Sequence, residues 1–282
     1  MTSLHPGILL MVSGGLCALL PKGWGRYCGV TGALAAVVSA LTLGRGDLLV
    51  LPFVGGIQLH LLFVDSLSWL FTIFFAFLAL LGSIYAFHND SRAEQLASLS
   101  YAGSTIGMVL AGDWISLIFF WEMMAVSSLY LVWAGGTAAS RKAGMRYLLV
   151  HMLGGNLLLA GILFQAASGK LLLSSLTGTQ GAAFWLILLG ICVNGVVPPF
   201  HFWAADAYPE SSITGGVFLS ALTTKAAVYL LIRLYAGTDW LLWVGVFMAL
   251  YGAVYAILEN DMRRLLSYHI VSQLGFMVAG VG

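Results

Sequence analysis

Two ionisable side chains stand where the surrounding sequence offers them no water: Glu122 in ISLIFFWEMMAVSSLYLVW and Lys225 in VFLSALTTKAAVYLL. They carry opposite charges. A charged side chain at bilayer depth costs on the order of 2.5–3.5 kcal/mol on insertion scales unless a partner or water compensates it. Two readings fit. Glu122 can face the same interior as Lys225, directly or through water, and serve proton or cation movement; or the two form a purely structural ion pair. Close by in sequence, GICVNGVVPPFHFWAADAYPE interrupts a helix. Pro198 and Pro199 have no N–H, so a helix running into them leaves the carbonyls of Asn194 and Gly195 without partners. In lipid such backbone survives only where it packs against protein or lines a wet cavity, and broken helices in transporters often mark ion pathways. His201 and Asp206 follow within a few residues. An imidazole titrating near neutral pH suits a proton relay, and an ordinary interfacial histidine fits the position equally. His151, in MRYLLVHMLGGNLLLAGILF, also admits two readings, relay or packing residue, and Gly154 and Gly155 let a neighbouring helix approach closely. Ser220, Thr223 and Thr224 flank Lys225, and their hydroxyls are expected to bond back to their own helix.

The elements that must hold these groups follow from composition. With 60% hydrophobic and 8% charged residues in 282 and a mean hydropathy of +0.96, the chain departs from soluble domains, which carry about 25% charge. It reads as an all-α polytopic membrane protein. A net charge of +1 provides no basic surface for nucleic acid. Cys17, Cys28 and Cys192 are an odd number without CxxC spacing, so they read as small buried side chains. Taking about 20 apolar residues per crossing, we count ten transmembrane spans: roughly 5–20, 28–43, 66–87, 98–112, 114–134, 147–168, 182–203, 212–235, 240–258 and 265–282. The seventh is broken by proline. Pro6 to Leu20 lacks a basic n-region and a cleavage signature, so it reads as a retained span. The Gly- and Pro-punctuated join at 44–65 carries β-prone runs and is expected to form a small extramembrane hairpin.

Basic residues set the orientation. Lys22, Arg26, Arg92, Arg141, Lys142, Arg146, Arg263 and Arg264 collect on one side, against Arg45 and Lys170 on the other. The richer side is expected to be cytoplasmic, with both ends of the chain facing outward. Arg233, near the outer end of its span, can snorkel. Haem would need two histidines facing each other across helices, and only His151 is deeply placed. There is no phosphate loop, GxSxG, HExxH or CxxCH. The expectation is no catalytic site in this chain, no metal and no cofactor.

Four stretches in order, FFWEMM, AGMRYLLVHMLGGNLLLAGI, PPFHFWAADAYPESSITGGVFLSALTTKAAVYLLIR and ENDMRRLLSYHIVSQLGF, resemble the antiporter-like proton-conducting subunits of respiratory complex I, Mrp-type cation/proton antiporters and membrane-bound hydrogenases. The wording around AYPE and VFLSALTTKAAVY is most similar to the D-like members of the Mrp group. The resemblance covers about residues 100–280. It implies a fourteen-helix fold built around two inverted five-helix repeats with a polar axis at mid-membrane. On this chain it implies an N-terminal three-helix segment at 1–97, a first conducting repeat at 98–237, and an incomplete start of a second at 238–282. The family's fifth-helix glutamate falls on Glu122, its eighth-helix lysine on Lys225, and its broken seventh helix on the Asn194 to His201 region. The start of its tenth helix resembles Asp261 to Arg264.

Two departures shape the expectation. Many members carry a lysine where Asn194 stands, and asparagine neither takes up nor releases a proton. Lys225 or a neighbouring chain must then supply the charge opposite Glu122. The chain also stops inside its tenth span, so it is expected to be truncated relative to the family, with another chain supplying the C-terminal helices. Implied is a proton- or cation-translocating subunit of a multi-subunit complex in a bacterial plasma membrane, an Mrp-type Na+/H+ antiporter or a complex I-like NADH:quinone oxidoreductase. Its ion pathway would use Glu122, Lys225, His201, Asn194, His151 and Asp206. The alternative is a non-conducting structural membrane subunit of such a complex.

Overall fold

A computed structural model describes residues 4–21 and 23–282. Lys22, counted among the basic loop residues, lies outside them. The described residues form eleven α-helices and one hairpin. The first half holds α1 (Pro6–Leu19), α2 (Trp24–Thr42), strands β1 (Gly46–Pro52) and β2 (Gln58–Val64), α3 (Ser66–Tyr85), α4 (Arg92–Leu110) and α5 (Trp114–Trp133). The second half holds α6 (Ala138–Ala167), α7 (Ala182–Asn194), α8 (Phe202–Glu210), α9 (Ile213–Tyr235), α10 (Trp240–Leu258) and α11 (Met262–Val281). Five of them are long and apolar enough to cross a bilayer: α3 with its 3₁₀ extension to His88, α5, α6, α9 and α10. Exposed Leu16, Val38, Phe77, Leu149, Trp185 and Trp243 are intelligible in a chain whose solvent is lipid. The expected hairpin at 44–65 is present, antiparallel from Gly46 opposite Val64 to Pro52 opposite Gln58. The expected span at 182–203, broken by proline, holds α7, the stretch 195–201 and the first two residues of α8.

By packing, the chain divides into two compact units. The first comprises Met1–Leu131, Leu171–Leu173 and Ile213–Phe218. Here α1 and α4 touch through backbone, because a Cβ at Gly7 would collide with the carbonyl oxygen of Gly103. His5 caps α1 as a neutral ring: Nδ1 accepts from the N–H groups of Gly7 (3.1 Å) and Ile8 (3.3 Å), and Nε2–H donates to Leu61 O in β2 (3.1 Å). Both ring nitrogens are thereby used, one as acceptor and one as donor, which fixes the tautomer. At the α4–α5 junction the buried Asp113 carboxylate accepts from the N–H groups of Ile115 (2.9 Å), Ser116 (2.8 Å) and His60 (2.6 Å), and from the Ser116 hydroxyl (2.6 Å). One side chain thus starts α5 and ties it to the hairpin.

The second unit comprises Val132–Lys170, Ser174–Ser212 and Leu219–Gly282. In it α6 and α7 pack backbone to backbone, since a Cβ at Gly190 would lie 2.7 Å from Gly154 O. That contact sets the depth at which α7 delivers its last residue, Asn194. The Arg263 guanidinium, in the first turn of α11, donates to the carbonyls of Pro209 and Ser211 at the end of α8.

Candidate functional site

In the second unit, polar groups gather where α7 ends. The helix loses its regular ladder as Pro198 approaches: Gly195 N–H still reaches Ile191 O (2.8 Å), but Val197 N–H bonds to Cys192 O (3.1 Å), five residues back. That step passes over Val193 O, and the indole N–H of the buried Trp203 donates to it at 2.8 Å. The carbonyl seen to find a side-chain partner is therefore that of Val193, where proline arithmetic alone points to Asn194 and Gly195. Val196 sits at φ 51°, a left-handed conformation that a β-branched residue adopts only when its surroundings impose it, at a cost of about 1–3 kcal/mol.

Asn194 is fully buried, and neither its amide nitrogen nor its oxygen has a hydrogen-bond partner among the described residues. Its Oδ1 lies 3.3 Å from where a Cβ at Gly154 would stand, over α6. His151, one turn earlier on that helix face, is buried against Tyr147 (ring centroids 3.8 Å apart) and the edge of Trp203 (4.6 Å). Its Nδ1 pairs with Tyr147 O at 3.0 Å. A carbonyl only accepts, so Nδ1 carries the hydrogen and the neutral ring presents a lone pair at Nε2. That nitrogen has no partner among the described residues. On α9, which meets the break where Gly195 approaches Ala227, the Thr224 hydroxyl is fully buried and likewise unpartnered. The expected bond back to its own helix is not made.

The other expected residues are disposed differently. Lys225 is half-buried and its ammonium donates to Ser220 O on its own helix at 2.7 Å. His201 Nε2 pairs with the Tyr251 hydroxyl at 2.7 Å; the Tyr251 ring contacts that of Tyr255 (4.4 Å), which in turn contacts that of Tyr268 (5.4 Å). Asp206 holds Arg146 in a two-pronged ion pair, 2.6 Å to Nε and 2.7 Å to Nη2. Glu122 belongs to the first unit, on an exposed position of α5 beside the buried Trp121. The second unit thus brings His151 and Asn194 to the break, with α9 carrying Thr224 and Lys225, and ties His201 and Asp206 to partners of their own.

Two polar residues escaped the sequence reading. Tyr251 recurs four residues before Tyr255, a one-face spacing that was a usable signal. Glu94 is buried in the first turn of α4, where Ser91-x-x-Glu94 follows the capping-box pattern.

The profile of the family described as NADH:quinone oxidoreductase/Mrp antiporter, TM, matches residues 111–282. The chain is 28% identical over 237 residues to the A/B subunit of a probable K(+)/H(+) antiporter of Rhizobium meliloti (strain 1021), covering 76% of this chain and 24% of that protein. It is 27% identical over 245 residues to the A1 subunit of the Na(+)/H(+) antiporter of Staphylococcus aureus (strain MRSA252), covering 78% and 30%. A chain of respiratory complex I from Thermus thermophilus with bound NADH has the same fold, with a TM-score of 0.85 at 24% identity over 100% of this chain and 64% of that one. The chain spans 24% and 30% of the length of these two curated relatives.

Proposed function

The chain belongs to the NADH:quinone oxidoreductase/Mrp antiporter transmembrane family, and from that premise we propose that it is a proton- or cation-translocating membrane subunit of a multi-subunit complex. One observation carries the reading: at the break after α7, the Asn194 amide, His151 Nε2 and the Thr224 hydroxyl are buried polar atoms without hydrogen-bond partners among the described residues. Such atoms are costly to leave unpaired in an apolar interior, and water is the partner that satisfies them. A hydrated break is the place for a proton to pass. His151 Nε2 takes up a proton, Asn194 and Thr224 orient water without storing charge, and His201 passes protons toward the cytoplasm.

Glu122 is the switching group. It alternates between an ionised state coupled to Lys225 and a protonated, neutral state. Moving a charge partner from about 4 to about 8 Å at an effective dielectric near 20 changes the pair energy by about 2 kcal/mol, more than tenfold in the ratio of protonated to ionised carboxylate. In this reading the helices make ten crossings of a bacterial plasma membrane, with α7 and α8 together forming one of them, and 98–237 is a conducting repeat. Other membrane subunits complete the complex. The test is Glu122→Gln in the assembled complex: proton-coupled transport in proteoliposomes should be lost while assembly stays intact, and near-wild-type transport would reject the role.

A further inference from the structure

The first unit holds a cavity of about 20 Å³, lined by Arg26 of α2, Ser83 of α3, Glu94, Gln95 and Ser98 of α4, and Thr214 in the first turn of α9. Each charged or amide group on its wall is held in place. The Arg26 guanidinium lies over the rings of Phe87 (5.2 Å) and Tyr27 (5.5 Å) and 3.9 Å from the Asp90 carboxylate. The Gln95 amide donates to Asn89 O at 2.6 Å, and its Oε1 rests against α2 at Gly25, where a Cβ would come within 2.7 Å of it. Glu94 is buried and accepts from the Thr214 hydroxyl, which in turn accepts from the Asn89 amide at 3.0 Å.

Two buried atoms of the residues that line the cavity have no hydrogen-bond partner among the described residues: Arg26 Nε and Gln95 Oε1. One is an obligate donor, because a guanidinium keeps its hydrogens at any working pH, and the other is an acceptor. A water needs about 10–15 Å³ of such space and two to four polar partners. The cavity supplies both. A monovalent cation would find oxygens here too, but the positively charged guanidinium of Arg26, which lines the same space, opposes it. We propose that this cavity binds one water molecule, which accepts from Arg26 Nε–H, donates one hydrogen to Gln95 Oε1 and with the other hydrates the Glu94 carboxylate, tying α2 to α4.

The proposal is independent of the ion pathway and has its own test. Cryo-electron microscopy of the native complex, in sodium buffer and with choline replacing sodium, should show one density peak about 2.7–3.2 Å from both Arg26 Nε and Gln95 Oε1. The peak should be equal in the two buffers, lost in Gln95→Leu and kept in Gln95→Glu, which retains an acceptor. If Gln95→Leu does not assemble, Gln95→Met removes the same acceptor at nearly the same length. A peak that disappears in choline would identify a cation and overturn the proposal. Featureless density in the wild-type cavity, or a peak that survives loss of the acceptor, would overturn it as well.

Discussion

His201 fits a relay and an interfacial residue equally from sequence, and its hydrogen bond to Tyr251 makes the first reading testable at one atom. Tyr251→Phe keeps the ring stack and removes the hydroxyl. If protons reach His201 by that hydroxyl, the loss of one hydrogen bond, about 1 kcal/mol, slows uptake roughly fivefold. Proton flux into proteoliposomes should fall by that order with assembly unchanged, and full flux would remove Tyr251 from the route. Asn194 decides a larger matter. Where many members of the resembled family carry a titratable lysine, this chain has a buried amide whose atoms have no partner among the described residues. A gain in transport by Asn194→Lys in the assembled complex would mark a pump weakened by the loss of that cation, whereas normal assembly with no gain favours the structural alternative. The interruption of the helix ahead of Pro198 was legible in the sequence because proline chemistry is local. The pairing of Tyr251 with His201 was not, because the two lie 50 residues apart and no local rule joins them.

Among elements, the start of α1 and the start of α5 depend on one side chain each. His5 must be neutral at Nδ1 to accept from Gly7 and Ile8, and the same ring reaches β2 through Leu61 O. Asp113 does the corresponding work for α5, joining its first turn to the hairpin through His60 N–H. Each cap therefore fixes a helix end and an inter-element contact at once. Asp113→Ala removes the cap of α5 and leaves the His60 and Ser116 donors unpaired. A loss of about 1–3 kcal/mol is expected, read as a lower melting temperature and faster proteolysis of the hairpin. Unchanged values in both measurements would mean that packing alone holds this junction. Pattern and proline predicted α5, the hairpin and the interruption of α7. They did not predict the five-residue step to Cys192 or the indole that takes up Val193 O, because both depend on where Trp203 packs.

For the molecule as a whole, charge asymmetry is the quantity that bears on orientation. Eight Lys and Arg residues fall in or beside the span joins of one parity and two in those of the other, a difference of six. Each basic residue beside an anionic cytoplasmic leaflet is worth about 1 kcal/mol, so the asymmetry outweighs any single substitution. Helix bounds now place two probes at opposite ends of α10: Ala236, after α9, and Asn260, between α10 and α11 next to Arg263 and Arg264. In a cysteine-free background, Ala236→Cys should react with a membrane-impermeant maleimide added to intact cells. Asn260→Cys should react only after permeabilisation. The reverse pattern would invert the orientation and carry the break after α7 and His201 with it, so that the proposed proton uptake would face outward. Labelling of both probes from outside would mean that α10 does not cross at all, and the ten-crossing reading would fail with it.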